Sequence, residues 1–164
     1  MEFLLVLVLI AVLGAVIGPS LANSLPSARV SRTASAYMAT ARKAHNDAAL
    51  TSKRHRLVLR KSADELGGPR FWITVEARPL EEPGVFHPVP GLFGQGTELP
   101  GLVTVLSNEG ATEEGEFGDI SIEFNPDGTA TEATVVFGND QGDSVKVQVK
   151  GTTGVAIIPA EETP

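Results

Sequence analysis

Across residues 3–18 (FLLVLVLIAVLGAVIG) no side chain is polar. Wound as a helix at 1.5 Å per residue, the run spans about 24 Å, a little less than the ~30 Å hydrocarbon core of a bilayer. A cleaved secretory signal, a buried core helix and a membrane helix can each carry such a run. Ser20-Leu21-Ala22 loosely fits a signal cleavage site, but the basic start of a signal is missing and Glu2 stands in its place. A core helix this uniformly apolar needs a far larger protein around it. The residues beyond the run favour the membrane helix. Past Pro19 and Pro26, Val30, Ala34, Tyr37, Ala41, Ala44 and Ala48 recur at spacings of three and four, which is one helical face. Arg29, Arg32, Arg42, Lys43 and Asp47 fall largely off that face. An apolar helix therefore runs into an amphipathic one, with a bend expected near Pro19 and Pro26.

After Lys53 the period drops to two. Residues 55–61 (HRLVLRK) and 71–78 (FWITVEAR) alternate as strands do, with Gly67-Gly68-Pro69 as the turn between them. The stretch 79–101 is rich in Pro and Gly and reads as an irregular surface loop. Further strands are predicted at 102–106, 120–124, 133–137, 145–149 and 155–158. Turns at Pro126-Asp127-Gly128, Gly138-Asn139-Asp140 and Gly151-Thr152-Thr153-Gly154 separate the later ones. Residues 108–118 hold four glutamates and read as a mobile acidic loop. The expected fold is α+β: a long amino-terminal helix, hydrophobic and then amphipathic, packed on an antiparallel β-sheet. Residues 1–22 would be the apolar helix half, 23–53 the amphipathic half, and 54–164 a β-rich globular domain.

Composition narrows the chemistry. With 164 residues, 42% of them hydrophobic, the chain suffices for one modest domain. It has no cysteine, which excludes a disulfide framework, a thiolate metal site and a cysteine nucleophile. A single Trp72 and a single Tyr37 are too few rings for a base-stacking platform. The net charge of −7 hides a division: through Arg70, ten Lys/Arg stand against four Asp/Glu, and from Phe71 onward three stand against sixteen. An acidic carboxy-terminal half argues against nucleic acid as a partner, because phosphates need clustered cations.

The opening Glu2-Phe3-Leu4-Leu5-Val6-Leu7-Val8-Leu9-Ile10 resembles the methylated helix motif of the type IV pilin superfamily, in which one glutamate leads the apolar run. Pro19 falls where many members carry a helix-bending proline. Ala39-Thr40-Ala41-Arg42-Lys43-Ala44 and Phe124-Asn125-Pro126-Asp127-Gly128 resemble elements of the H-type minor pseudopilins of type II secretion and their FimT-like relatives. Residues 147–149 and 151–155 are similar to that group's closing hairpin. The resemblance covers nearly the whole chain. It implies a structural subunit of the pseudopilus, involved in tip assembly or initiation during protein export across the outer membrane. Its implied partners are other minor and major pseudopilins, the secretion assembly platform and secreted substrates. It also implies a single-pass inner-membrane location with the β-rich domain in the periplasm, against a positive-inside reading of Arg29 and Arg32 alone. In the family a short basic leader ending in glycine precedes the glutamate, so the true start is expected upstream, with cleavage and N-terminal methylation. Two alternatives stay open: a FimT-like minor pilin of a type IV pilus, and a secreted β-rich binding protein with a cleaved signal peptide.

Glu2 is the sharpest candidate residue, since a carboxylate beside hydrocarbon needs a reason to be there. The resemblance implies an assembly role, neutralising the amino terminus of a neighbouring subunit; an interfacial carboxylate near a helix start is the plainer account. Ala34, Ala41, Ala44 and Ala48 are expected to pack on the chain's own sheet, although small residues, Gly14 included, also suit helix–helix contact in a filament. Lys53, Arg54, Arg56, Arg60 and Lys61 are expected to form a solvated basic face, with the acidic half of an adjacent subunit as an alternative partner. Glu113, Glu114, Glu116 and Asp119, and likewise Asn139, Asp140 and Asp143, offer hard oxygen ligands but match no calcium loop. His45, His55 and His87 lack zinc-ligand spacing, and Gly91, Gly94 and Gly96 lie outside a strand-to-helix turn. No enzymatic activity, metal or cofactor is expected.

Overall fold

A computed structural model describes residues 2–63, 67–114 and 118–159; side chains within those ranges are described at Val6 and from Pro26 onward, Glu114 excepted. Among the described residues, one helix, α1 (Glu2–Thr51), precedes ten strands and a second short helix. The strands are β1 (His55–Arg60), β2 (Arg70–Val75), β3 (His87–Pro88), β4 (Thr97–Glu98), β5 (Thr104–Glu109), β6 (Thr112–Glu114), β7 (Asp119–Phe124), β8 (Ala133–Gly138), β9 (Ser144–Val149) and β10 (Ala156–Ile157), with α2 (Leu92–Gln95) between β3 and β4. They form two antiparallel sheets where the alternation predicted one. The larger runs β3-β2-β1-β7-β6 with β4 also on β2, and the smaller runs β10-β9-β8-β5.

The predicted helical face is the buried one: Val30, Ala34, Tyr37, Ala41, Ala44 and Ala48 are all fully covered. Alanine at four of these positions lets the helix backbone come close to both sheets. Two buried threonines beside that face satisfy themselves locally, with the Thr33 and Thr40 hydroxyls donating to the carbonyls of Arg29 and Ala36. Tyr37 joins the three layers. Its ring meets Phe71 of β2 edge-on at 5.4 Å between centroids and Phe137 of β8 at 5.1 Å. The remaining core alternates along the strands, with Leu57 and Leu59 of β1, Ile73 of β2, and Ile120, Ile122 and Phe124 of β7 facing α1.

Several expectations are corrected. The loop predicted over 79–101 folds back along the outer edge of β2. There β3 pairs at Thr74 and Val75, and β4 at Arg70 and Phe71. Two short strands thus cover an edge that would otherwise be open for pairing. The strand predicted at 71–78 stops at Val75, and the one predicted at 102–106 starts at Thr104 and runs to Glu109. The acidic segment predicted as a mobile loop supplies the end of β5 and then, past Gly110, β6 on β7; β5 belongs to the smaller sheet and β6 to the larger. Strand pairing is a non-local choice, so short polar segments give little sign of it in sequence.

Candidate assembly surface

The helical backbone of α1 continues through Pro19 and Pro26. The side chains of Glu2 and Pro19 lie outside the described residues, so the assembly role and the bend stay expectations from sequence. Among the described residues no helix is long and apolar enough to cross a membrane; of residues 3–18, only Val6 has a described side chain. Among the described side chains, Val30 is the first buried one of α1, with roughly 28 helical residues, about 42 Å, ahead of it.

The basic cluster is not a free solvated face. It is paired across the larger sheet with acids from the other half of the chain. Arg54 donates to Glu76 and, at 2.9 Å, to Glu123. Arg56 donates to Glu123 at 3.0 Å, Arg60 to Asp119 at 2.6 Å and Lys61 to Glu113 at 2.8 Å. Register explains the row: Arg56 stands opposite Glu123 where β1 pairs with β7. Lys53 donates to the Ala77 carbonyl at 2.8 Å. The charge division along the sequence is therefore largely an internal complementarity of the domain. Aromatic rings cover the same face, with the Arg56 guanidinium 3.8 Å from the centre of the Phe86 ring and Trp72 facing Arg60 and Arg70.

Glu76 is a residue that gave no functional signal in the sequence. Only 2% of it is exposed, and it accepts three hydrogen bonds, from Arg54 Nε at 2.8 Å, Arg54 Nη2 at 2.5 Å and the Gly84 amide at 2.6 Å. The Arg54 hydrogen bonds, and after them that from Gly84, hold its carboxyl below the usual carboxylate range, and Glu76 in turn raises the Arg54 guanidinium. In sequence it is a single acid at the end of a strand pattern, too common to stand out.

Asp143 serves the fold too. Asn139 closes its turn by accepting from the Gln141 and Asp143 amides at 3.0 Å while donating to the Asp143 carboxylate at 2.8 Å. Among the described residues, no group of three or more His, Asp or Glu stands close enough to hold a metal ion. Gly94 sits in α2 because a Cβ there would run into the Val89 backbone, so this glycine serves a close chain crossing.

Among solved structures, the chain is similar to the minor pseudopilin EpsH from the type 2 secretion system of Vibrio cholerae. The likeness has a TM-score of 0.58 and covers 82% of this chain and 99% of that one, at 11% sequence identity. The fold is that of a minor pseudopilin. No protein-family model matches the sequence, and no curated protein matches it either. The pseudopilin fold accounts for the long helix packed by its second half on antiparallel sheets, and it is the α+β architecture expected from sequence.

Proposed function

We propose that this chain is a minor pseudopilin of a type II secretion system, a structural subunit that helps to assemble or initiate the pseudopilus tip and performs no chemistry. The observation that carries the reading is the fold likeness to a minor pseudopilin over 82% of the chain, in a chain whose helix also opens with a glutamate-led apolar run. In this reading the apolar helix half anchors the subunit in the inner membrane, the domain faces the periplasm, and Glu2 meets the amino terminus of a neighbouring subunit. Its partners are the other minor and major pseudopilins and the assembly platform, with secreted substrates touching the tip.

Deleting the gene in its native host should stop export of folded proteins to the medium and leave surface pili intact. The Glu2→Ala chain should fail to restore export. Loss of pili with export unchanged would sink the secretion assignment in favour of a FimT-like minor pilin. Intact-mass analysis of the native protein supplies the second check. A methylated amino terminus at or just before Glu2 fits the proposal, whereas a chain beginning near Asn23 overturns it.

A further inference from the structure

Between β2 and β3 the chain leaves the larger sheet and returns to it. Residues 78–85 are all exposed, Leu80 at 96%, so no buried apolar side chain pins them down. They hold one another instead. The Glu81 and Glu82 amides donate to the Arg78 carbonyl at 3.2 and 2.8 Å, and the Val85 amide donates to the Glu82 carbonyl at 3.3 Å. Arg78 also pairs with Glu81 at 3.6 Å. The segment is therefore closed on itself, and its two ends are fixed. The Ala77 carbonyl accepts from Lys53, and His87–Pro88 pair with Val75 and Thr74 of β2.

Two contacts near its far end draw the segment onto the sheet. The Gly84 amide donates to the Glu76 carboxylate at 2.6 Å, and the Phe86 ring lies 3.8 Å from the Arg56 guanidinium. Glu76 is held separately, by Arg54 and through its own amide on the Arg54 carbonyl at 3.0 Å, so it stays in place when Gly84 leaves. Letting go thus breaks one charge-assisted hydrogen bond and one ring contact, far less than a core strand loses. A further observation favours release. Thr74 is only 6% exposed, and its hydroxyl has no hydrogen-bond partner among the described residues, a cost that entering water would relieve. Thr74 shares with Gly84 and Phe86 the lining of a depression of about 440 Å³ that also takes in Val58, Trp72 and Ser121. We propose that residues 78–86 are a strap that swings off the larger sheet as one unit while α1 and both sheets stay folded, with the Gly84–Glu76 hydrogen bond as its latch. Opening removes the Gly84 and Phe86 side of the depression and converts it into an open sheet face. The device does not depend on the assembly reading.

Hydrogen exchange of the full chain in mild detergent, followed by NMR across low urea concentrations, tests the opening. The Gly84 amide should exchange about a hundredfold faster than those of Leu57 and Leu59 in the central strand, and its rate should not respond to low urea, because little surface is exposed. Glu76→Gln should speed Gly84 by about tenfold more and leave the Glu82 amide unchanged, since the bond of Glu82 lies inside the strap. Spin labels read the swing directly, because the chain has no cysteine of its own. Labels at Leu50→Cys and Leu80→Cys, both exposed positions, should show one narrow distance in the parent chain and a second in Glu76→Gln. Phe86→Ala should also add the second distance, and it keeps the test decisive if Glu76→Gln does not fold. A control pair at Leu50→Cys and Asp140→Cys should keep one distance throughout. Gly84 sharing the urea slope of Leu57 and Leu59, Glu82 speeding up together with Gly84, or a single Leu50–Leu80 distance in both variants would each overturn the proposal.

Discussion

Removing the charge of Glu76 by Glu76→Gln should destabilise the domain by about 2–3 kcal/mol at pH 7. The carboxylate accepts three hydrogen bonds, two from one guanidinium and one from a backbone amide. Charge-assisted bonds contribute about 1.5–3 kcal/mol each, and breaking a fully buried pair costs about 3–5 kcal/mol. The lower figure applies here for two reasons. Arg54 is about one-third exposed and keeps Glu123 as a partner, so it rehydrates when Glu76 is neutralised. The glutamine, for its part, keeps a side-chain oxygen that can still accept from Arg54 or the Gly84 amide. Urea unfolding of the full chain in mild detergent, monitored by Trp72 fluorescence, reads the loss. The pH dependence has a definite sign. The folded carboxyl titrates below its ordinary value of 4.5, so its contribution is complete above that pH and fades as pH falls through the lower folded value. The gap between wild type and Glu76→Gln should therefore close in acid. A loss under about 0.5 kcal/mol at pH 7, or a gap that persists unchanged at pH 3, would refute the reasoning.

Three further outcomes rest on the same geometry and sequence. The Tyr37 hydroxyl is buried without a hydrogen-bond partner among the described residues, and burial pushes its phenol upward, so it stays neutral. Tyr37→Phe keeps both ring contacts and should leave stability unchanged or raise it by about 1 kcal/mol in the same urea assay; a clear loss would reveal a partner for the hydroxyl. Gly154 adopts φ 60 in the turn under α1, where a Cβ would collide with His45 Nδ1 and crowd the Gly128 carbonyl. Gly154→Ala should cost about 2–4 kcal/mol, and calorimetry showing no fall in melting temperature would contradict the close packing of this turn on the helix. Glu2→Ala should block export while leaving the urea midpoint of the domain within error of wild type, since Glu2 lies far ahead of the buried helical face.

The helix and its contact face were legible in the sequence because helical period and burial are local properties. Six residues at spacings of three and four named the apolar part of the buried face, from Val30 to Ala48, and missed the buried Thr33 and Thr40. Long alternating strands were legible for the same reason, and β1, β7, β8 and β9 fall within about a residue of the predicted bounds. The turn at Asn139 and the glycines around Thr152 and Thr153 announced themselves through residues that close turns on their own.

The partition into two sheets was decided only by the tertiary structure. Alternation shows that a strand has an inner and an outer face, but not which strand lies beside it. Hence β5 and β6, adjacent in sequence, end in different sheets. The edge pairing of residues 87–88 and 97–98 was hidden because two-residue strands have no period to read. In the sequence the basic cluster reads as a solvated face, with the acidic half of an adjacent subunit as the alternative partner. Register turned it inward, setting Arg54, Arg56, Arg60 and Lys61 beside acids of the other half. The hold of Glu76 on the Gly84 amide is likewise beyond sequence, since it depends on how the chain after β2 turns back over the sheet. Local pattern determines which groups are buried, and the pairing of distant segments decides which of those groups meet.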